Sequence, residues 1–228
     1  MAHVTGDAKL EALLERLHAQ SDCQVEATSE FFRRRAAAGE LSWDGMDERS
    51  HRFMSDKLVA LDREKAEFCY LLCRTLGARR VVEAGTSYGV STLYLAAAVR
   101  DNCRDGAPGV VIGTEHEPAK AAAARENFAA AGLAEFVDLR EGDLRETLKD
   151  TGGPVDFMLL DIWVEMARPA LELVAPRLRP GAIVVADNTA AVREPYRAYF
   201  EFLSDPANGF RTMTLPFEGG LELSVRTG

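Results

Sequence analysis

One glycine-containing segment constrains the fold of this chain more than any other part of its sequence. A short run of β-branched residues ends at Glu83, Gly85 and Gly89 follow four positions apart, and Ser91 lies at the start of an apolar helical pattern. A strand, a tight turn and a helix N-terminus in this order are typical of α/β proteins that hold a nucleotide-like ligand at the turn. The segment therefore predicts a ligand site at the carboxyl end of a strand.

The spacing of this segment excludes two common kinds of phosphate-binding loop. A dinucleotide-binding loop has the pattern G-x-G-x-x-G, and a triphosphate-binding loop needs Lys and then Ser or Thr after its last glycine. Neither pattern is present here, and Glu83, two residues before Gly85, would repel a pyrophosphate. We therefore expect a cofactor that is positively charged or lacks phosphates.

Composition narrows the partners and the location of the protein. The chain has 228 residues, 47% of them hydrophobic, so it is long enough to bury a large core. Its net charge of −9 disfavours nucleic acids and anionic membranes as partners. We expect a cytoplasmic protein, because the sequence has neither an apolar stretch of membrane-spanning length nor a secretory signal pattern.

Hydrophobic periodicity predicts a helical first third and an alternation of strands and helices after it. The first two helices are predicted at about residues 7–35 and 62–77. The predicted strands cover residues 80–83, 110–114, 136–140, 155–160, 182–186, 210–215 and 221–225. The predicted helices between them cover residues 91–99, 118–131, 144–149, 168–178 and 194–203.

Repeated strand–helix units predict an α/β fold with a doubly wound, mostly parallel sheet of seven strands. The last two strands are joined by residues 216–220, which include two glycines, and are expected to form an antiparallel hairpin at the sheet edge. We predict a single domain over residues 1–228. Within it, residues 1–77 form an N-terminal helical cap with the first core helix, and residues 78–228 form the α/β core.

Polar side chains follow five of the predicted strands, and ligands of such sheets bind at the carboxyl ends of strands. These side chains are Glu83, Glu115, Asp143, Asp161, Asp187 and Asn188. An acid in the position of Glu115 typically accepts hydrogen bonds from ribose hydroxyls. Asp143 could reach an adenine amino group, or it could merely cap the helix that follows.

Asp161, Asp187 and Asn188 predict a metal site. They offer oxygen ligands at adjacent strand ends, which suits a hard cation such as Mg²⁺, and two unpaired carboxylates side by side would otherwise repel one another. The alternative is that Asp187 and Asn188 only cap the turn after the fifth strand. We expect Mg²⁺ or another divalent cation here.

Five motifs carry a resemblance to a known family: Glu83-Ala84-Gly85-Thr86-Ser87-Tyr88-Gly89-Val90-Ser91, Glu115-His116-Glu117-Pro118, Leu160-Asp161-Ile162-Trp163, Asp187-Asn188 and Gly219-Gly220-Leu221-Glu222. From about residue 58 onwards the chain resembles the class I S-adenosylmethionine-dependent methyltransferases, specifically the catechol and caffeoyl-CoA O-methyltransferase group. The resemblance implies a Rossmann-like methyltransferase fold and methyl transfer to a small-molecule hydroxyl. Asp62-Arg63-Glu64-Lys65 resembles the lysine-containing segment at the cofactor and substrate entrance.

The resemblance also implies roles for the cofactor-binding residues. The glycine loop passes the methionine part of S-adenosyl-L-methionine, and Glu83 binds near its amino group. Glu115 binds the ribose hydroxyls, and Trp163 packs beside the adenine. The cofactor-binding set is therefore expected to be Glu83, Gly85, Ser87, Gly89, Ser91, Glu115, Asp143, Asp161 and Trp163.

At the substrate end, the resemblance implies that Asp161, Asp187 and Asn188 hold Mg²⁺ and that the metal chelates two adjacent substrate hydroxyls. Glu222 matches an acid beside those hydroxyls, so Asp161 and Glu222 are the candidate catalytic residues. The implied reaction is an in-line displacement in which an oxygen attacks the sulfonium methyl.

One residue departs from the family pattern. Catechol-type enzymes carry a lysine base three residues after the acid at Asp161, where this chain has Val164. Glu165 or Glu222 could serve as the base, the metal alone could acidify the hydroxyl, or the substrate could differ from a catechol. His51 could also reach the site from the N-terminal part. We favour a non-standard substrate with metal assistance.

Other function classes remain open at this point. A nicotinamide-dependent oxidoreductase shares the fold but needs the absent G-x-G-x-x-G loop. A metal-independent methyltransferase or a non-catalytic S-adenosylmethionine-binding protein would also accommodate Val164. Trp43, Phe53 and Met54 could line a substrate pocket or simply pack between helices, and the N-terminal helices could form a homodimer interface or a lid.

Overall fold

A seven-stranded mixed sheet forms the centre of the protein. The computed structural model describes residues 4–41, 45–191 and 193–228. In these parts the strand order is β3-β2-β1-β4-β5-β7-β6. The strands are β1 (Arg80–Ala84), β2 (Val110–Glu115), β3 (Val137–Glu141), β4 (Val155–Leu160), β5 (Leu178–Asp187), β6 (Phe210–Leu215) and β7 (Leu221–Arg226). The first five pair in parallel, and β7 pairs antiparallel with both β5 and β6, so the predicted fold class is confirmed.

Eight α-helices in the described residues flank the sheet. They are α1 (Ala8–Ala37), α2 (Glu48–Met54), α3 (Arg63–Leu76), α4 (Val90–Asn102), α5 (Pro118–Ala131), α6 (Leu144–Thr147), α7 (Val164–Val174) and α8 (Arg197–Ser204). The long helix α1 begins where the Asp7 carboxylate accepts a hydrogen bond from the Leu10 amide at 3.1 Å. At its other end, the buried Arg35 guanidinium binds Asp47, the residue that caps α2, so α1 and α2 are joined.

Both faces of the sheet are buried, as the parallel strands require. Neighbouring residues of β1 point to opposite faces: Val81 belongs to the core under α1, α3, α4 and α5, and Val82 to the core under α6, α7 and α8. Strand β1 is central, and the strand order reverses between β1 and β4. A ligand site is expected at the carboxyl ends of these two strands.

Three local predictions differ from the structure. Helix α7 covers Val164–Val174 rather than 168–178, so Pro169 lies inside it instead of near its start. A 3-10 helical turn, Ala175–Arg177, follows α7, and β5 then begins at Leu178 instead of 182 and is ten residues long. Helix α2 lies between the first two predicted helices, where no helix was predicted, and it is short and fixed by its cap at Asp47 and by Arg35 rather than by an apolar repeat.

Over the described ranges, with gaps at 42–44 and 192, no helix is long and apolar enough to cross a membrane.

Candidate active site

A cavity of about 660 Å³ opens at the carboxyl ends of β1, β2, β4 and β5. This volume is typical of small-molecule sites. Many of the residues predicted from the sequence line it, namely Gly85, Ser87, Ser91, Glu115, Asp143, Asp161, Trp163, Asp187 and Asn188. Three other predicted residues do not line the cavity and lie in separate places, namely Glu83, Gly89 and Glu222.

The loop of residues 85–89 is built against the strand end next to it. Gly85 has φ +98°, and a Cβ added there would lie 2.0 Å from the backbone oxygen of Asp161. Gly89 has φ +81°, and a Cβ there would lie 2.4 Å from a ring carbon of Phe128. Both positions therefore need glycine for space as well as for conformation. Gly89 serves the packing of the loop on α5 and does not face the cavity.

Glu83 is fully buried beneath this loop. Its carboxylate accepts hydrogen bonds from the hydroxyls of Thr86 at 3.0 Å and Ser91 at 2.7 Å, and also from that of Thr92. Burial raises the pKa of Glu83, and the three hydroxyls offset only part of that effect. The side chain thus ties the loop to the first turn of α4 and lies behind the cavity wall, not in it.

Glu115 is the last residue of β2, and two backbone amides fix its carboxylate at the cavity wall. One carboxylate oxygen accepts a hydrogen bond from the Ser87 amide at 2.7 Å, and the other accepts one from the Glu117 amide at 2.8 Å. Ser87 has the left-handed φ of +49°, which is uncommon for a residue with a side chain. The contact with Glu115 is one of the contacts that hold it there.

Asp143 both lines the cavity and caps α6. Its carboxylate accepts hydrogen bonds from the amide and the guanidinium of Arg145 at 2.9 Å. The Arg145 side chain lowers the pKa of Asp143 to about 2. The capping interpretation of this residue therefore applies together with its place in the cavity.

The ends of β1 and β4 meet at Asp161. The Asp161 amide donates a hydrogen bond to the backbone oxygen of Ala84 at 3.1 Å. Burial raises the pKa of the Asp161 carboxyl, and the negative charges of Asp187 and Glu83 raise it further. Trp163, which precedes α7, lines the same cavity and is 40% exposed.

Asp187 ends β5 and is engaged on both carboxylate oxygens. Oδ1 accepts a hydrogen bond from the Lys65 ammonium at 2.7 Å, and Oδ2 accepts one from the Asn188 side-chain amide at 2.9 Å. The Tyr196 hydroxyl donates to the Asp187 backbone oxygen at 3.0 Å. Among the residues that the structure describes, no group of three or more His, Cys, Asp or Glu side chains has the arrangement of a metal site.

The N-terminal cap closes the other side of the cavity. Met46, His51 and Met54 line it, and the Met46 amide donates a hydrogen bond to Glu165 at 3.3 Å. The Tyr88 hydroxyl of the glycine loop donates to the Asp56 backbone oxygen at 3.0 Å. Phe53 stacks on Phe31 with ring centroids 3.8 Å apart, so it packs between α1 and α2. Trp43 lies outside the described residues.

Glu222 lies apart from the cavity. It is paired with Ala186 across β5 and β7, and its buried carboxylate accepts hydrogen bonds from the hydroxyls of Thr212 and Thr214 on β6. Its assignment as a catalytic residue stays a prediction that this geometry does not favour. Conversely, neither Tyr196 nor the contact of Lys65 with Asp187 was predicted from the sequence. The only signal for Lys65 was its place in the Asp62–Lys65 segment of the family resemblance.

The fold and the cavity resemble those of class I methyltransferases, and comparisons with known proteins find similarity to the same group. Residues 82–189 match the family model described as a methyltransferase domain. The chain is 34% identical over 131 residues to a catechol O-methyltransferase of Mycobacterium tuberculosis. This alignment covers 57% of the chain and 57% of that protein, so the chain matches little more than half the length of this relative.

Solved structures extend the likeness along the chain. The O-methyltransferase TomG from Streptomyces achromogenes, involved in tomaymycin synthesis and determined in complex with SAM, is 25% identical. It has a TM-score of 0.66, with 81% of this chain and 92% of that chain covered. An O-methyltransferase from Bacillus cereus in complex with SAH is 20% identical with a TM-score of 0.65, covers 96% of this chain and all of its own, and shows the fold alone. Together the comparisons confirm the resemblance to S-adenosylmethionine-dependent O-methyltransferases.

Proposed function

We propose that the protein transfers a methyl group from S-adenosylmethionine to a hydroxyl group of a small molecule. The observation that carries this proposal is that the glycine loop, Glu115, Asp161 and Asp187 all face one cavity. Relatives named catechol O-methyltransferase and a neighbouring structure of an O-methyltransferase in complex with SAM support it.

The residues of the cavity fit this cofactor. Glu115 is already oriented by two backbone amides, so its remaining lone pairs can accept hydrogen bonds from ribose hydroxyls without reorganisation. Asp143 and Trp163 border the region proposed for the adenine. The acidic surroundings suit a cationic ligand rather than a phosphate. When bound, S-adenosylmethionine supplies an electrophilic methyl group on a sulfonium centre.

We further propose that a divalent cation binds at the other end of the cavity, where Asp187 would exchange a present hydrogen-bond partner for it. Asp161 and Asp187 line this end with two carboxyl groups, and burial and the negative charge of Asp187 raise the pKa of the Asp161 carboxyl. Asp161, Asp187 and Asn188 would hold the cation, with the Asn188 amide turned to present its oxygen. Bound there, Mg²⁺ would lower the pKa of a coordinated hydroxyl.

Removal of the acceptor proton is the part of the reaction that Val164 cannot perform. Val164 lines the cavity beside Glu165, while Glu222 is held by threonines outside it. Glu165 is therefore the better of the two candidate carboxylate bases. The remaining contribution of the chain is alignment, since near-attack positioning of two reactants can supply roughly 7–11 kcal/mol.

Methyl transfer from labelled S-adenosylmethionine tests the proposal directly. The purified protein is incubated with panels of phenols, carboxylates and amines, with Mg²⁺ and with a chelator. We expect labelled phenol products and lower rates in the chelator. Binding of S-adenosylhomocysteine without transfer to any acceptor would contradict the proposal and favour a non-catalytic binding protein. Transfer that is equally fast in the chelator would exclude a role for the metal and would leave the proposed methyl transfer intact.

Asp187 provides the mutational test of the metal. We expect Asp187→Ala and Asp187→Asn to lower Mg²⁺-dependent transfer by about 100-fold or more, because a cation contributes several kcal/mol to such reactions. The thermal shift induced by S-adenosylhomocysteine should remain, which shows that the variants are folded. Asp105→Ala, at an exposed ion pair with Arg79, is the control and should transfer normally.

A further inference from the structure

Lys65 is a buried cation to which the proposed reaction assigns no role. It lies in the first turn of α3, and only 2% of its side chain is exposed. Its ammonium lies 2.7 Å from Asp187 Oδ1 and 2.8 Å from Asp62 Oδ2. Asp62 is 60% exposed, whereas Asp187 is 7% exposed, so the contact with Asp187 is the one shielded from water.

A buried ammonium is retained only where carboxylates pair with it. Burial alone would lower the pKa of Lys65, but the hydrogen bonds to Asp187 and Asp62 outweigh it and raise the pKa above the usual lysine value. The Lys65 ammonium therefore holds one carboxylate oxygen of Asp187 in a fixed direction.

The remaining contacts of Asp187 make this orientation specific. The Asn188 amide contacts the second carboxylate oxygen, and the Tyr196 hydroxyl holds the backbone oxygen of Asp187 itself. Asp187 and Tyr196 line the cavity, whereas Lys65 lies behind Asp187 and does not. Lys65 thus acts on the cavity through Asp187 and not by contact with a ligand.

The helix that carries the Lys65 ammonium differs from the one on which the family pattern would place a lysine. The family pattern would place a lysine at position 164, at the start of α7, where this chain has Val164. Lys65 comes from α3, whose buried residues belong to the core on the opposite face of the sheet. In this chain the cationic side chain at the end of β5 therefore comes from α3.

We propose that Lys65 is a positioning residue for methyl transfer, which orients Asp187 toward the acceptor end of the cavity. This inference rests on the proposed function and adds a residue to it. Removal of an outer partner that orients a metal-ligating carboxylate typically costs 10–100-fold in metal affinity or activity. Lys65 is expected to fall in the same range.

The test compares Lys65→Met, Lys65→Arg and Lys149→Met, the last at an exposed lysine paired with Glu146. We expect Lys65→Met to lower kcat by about 10–100-fold. Its affinity for Mn²⁺ alone, titrated by electron paramagnetic resonance, should fall by a similar factor. The KM for S-adenosylmethionine should stay unchanged. Lys65→Arg retains the charge and should recover part of both losses, and Lys149→Met should behave as the wild type.

Two outcomes would overturn the inference. One is an unchanged kcat and Mn²⁺ affinity in Lys65→Met. The other is tighter Mn²⁺ binding, because it would mean that the ammonium competes with the cation instead of orienting its ligand. If Lys65→Met does not fold, Lys65→Arg is used for the test instead. Its kcat and its Mn²⁺ affinity must then both fall while S-adenosylhomocysteine still stabilises the protein.

Asp62→Asn separates the two partners of Lys65. It removes the charge of the exposed carboxylate and leaves the contact with Asp187, so near-normal kcat and Mn²⁺ affinity are expected. Losses as large as those of Lys65→Met would show that only the total charge matters and would contradict a positioning role. If the wild type transfers no methyl group, the proposed function fails, yet the Mn²⁺ titrations still decide the role of Lys65.

Discussion

At the scale of single residues, the partners of a carboxylate decide what it does in this protein. Glu83 is surrounded by hydroxyls and stabilises a loop, while Glu115 is held by backbone amides and faces the cavity. Asp187 is held by a buried ammonium, and Glu222 by two threonines of an edge strand. The same chemical group therefore has structural and functional uses that differ by location.

Asp156 is the clearest structural case and gives a stability prediction. Its carboxylate accepts hydrogen bonds from the amides of Arg79 and Arg80 at 2.8 and 2.9 Å and from the Arg179 side chain at 2.5 Å. Burial alone would raise the pKa of Asp156, but these donors together lower it below the ordinary value of 3.8. Its stabilising effect is therefore present above that value and is lost as the pH falls through the lower, folded-state pKa.

We expect Asp156→Asn to lower the free energy of unfolding at pH 7 by about 1.5–3 kcal/mol, the usual range for a charged hydrogen bond. The difference from the wild type should shrink below about pH 4, where the unfolded carboxyl is protonated. Urea unfolding of the wild type and the variant at pH 7 and below about pH 4 measures this difference. Asp138→Asn, at a half-exposed ion pair with Arg140, is the control and should change stability by less than about 1 kcal/mol. An equal loss at both pH values would contradict the assignment.

The sequence was sufficient to predict which residues lie at the cavity, but not what holds them. Strand ends can be located from apolar runs, so Glu115, Asp161 and Asp187 could be named as neighbours in advance. The contact of Lys65 with Asp187 could not, because it joins residues 122 positions apart whose packing is set by the whole fold. Local patterns carry no information about such pairs.

At the scale of elements, the unit of β1, its glycine loop and α4 is fitted against the end of β4. The Asp161 amide binds Ala84, and the Asp161 carbonyl lies against Gly85, so the two loops touch along their backbones. Such a close approach leaves no room for a side chain on the β1 side. The conformation of the loop is therefore set by its neighbour as much as by its own sequence.

This close approach predicts a large effect of one methyl group. Gly85→Ala should lower stability by roughly 2–6 kcal/mol, the sum of backbone strain and overpacking, and should weaken binding of S-adenosylhomocysteine. Gly132→Ala is the matched control, since Gly132 also has a positive φ of +69° but a Cβ there meets nothing within 4 Å. It should cost about 1–2 kcal/mol and leave binding unchanged. Urea unfolding and calorimetric titration measure both, and equal effects would exclude the steric argument.

Elements bounded by clear start and stop residues were predicted well, as Pro118 and Gly132 show at the two ends of α5. Helix α5 and the hairpin strand β6 have the predicted bounds. Helix α7 extends a turn before Pro169, although proline is usual in the first turn, and β5 runs through Pro180 and Gly181, which are typical of turns. In each case packing against the sheet outweighs the local preference.

At the scale of the whole molecule, we expect the cap and the α/β core to fold as one domain. Helix α1 buries Leu10, Leu13, Leu14 and Leu17 in the same core as Val81. A cap that shares a core with the central strand has no hydrophobic interior of its own. Its unfolding is therefore expected to be coupled to that of the sheet.

Leu14→Ala tests this coupling. Leu14 is fully buried, and its truncation should lower the free energy of unfolding by about 2–5 kcal/mol in a single transition. Circular dichroism and intrinsic fluorescence should report the same midpoint in urea. Leu71→Ala on α3, where the side chain is 51% exposed, is the control and should change the midpoint little. A separate early transition of the cap in Leu14→Ala would show two folding units instead.

The N-terminal cap and the α/β core both line the cavity, and this affects how such a protein can diversify. Glu115 and Asp161 belong to the segment 82–189 that matches the methyltransferase domain, whereas Met46 and Met54, which line the same cavity, precede it. Substitutions in the cap can therefore reshape the space for an acceptor while the residues proposed to bind the cofactor stay as they are. New acceptors would thereby become accessible to evolution, or to engineering, without loss of the proposed methyl donor.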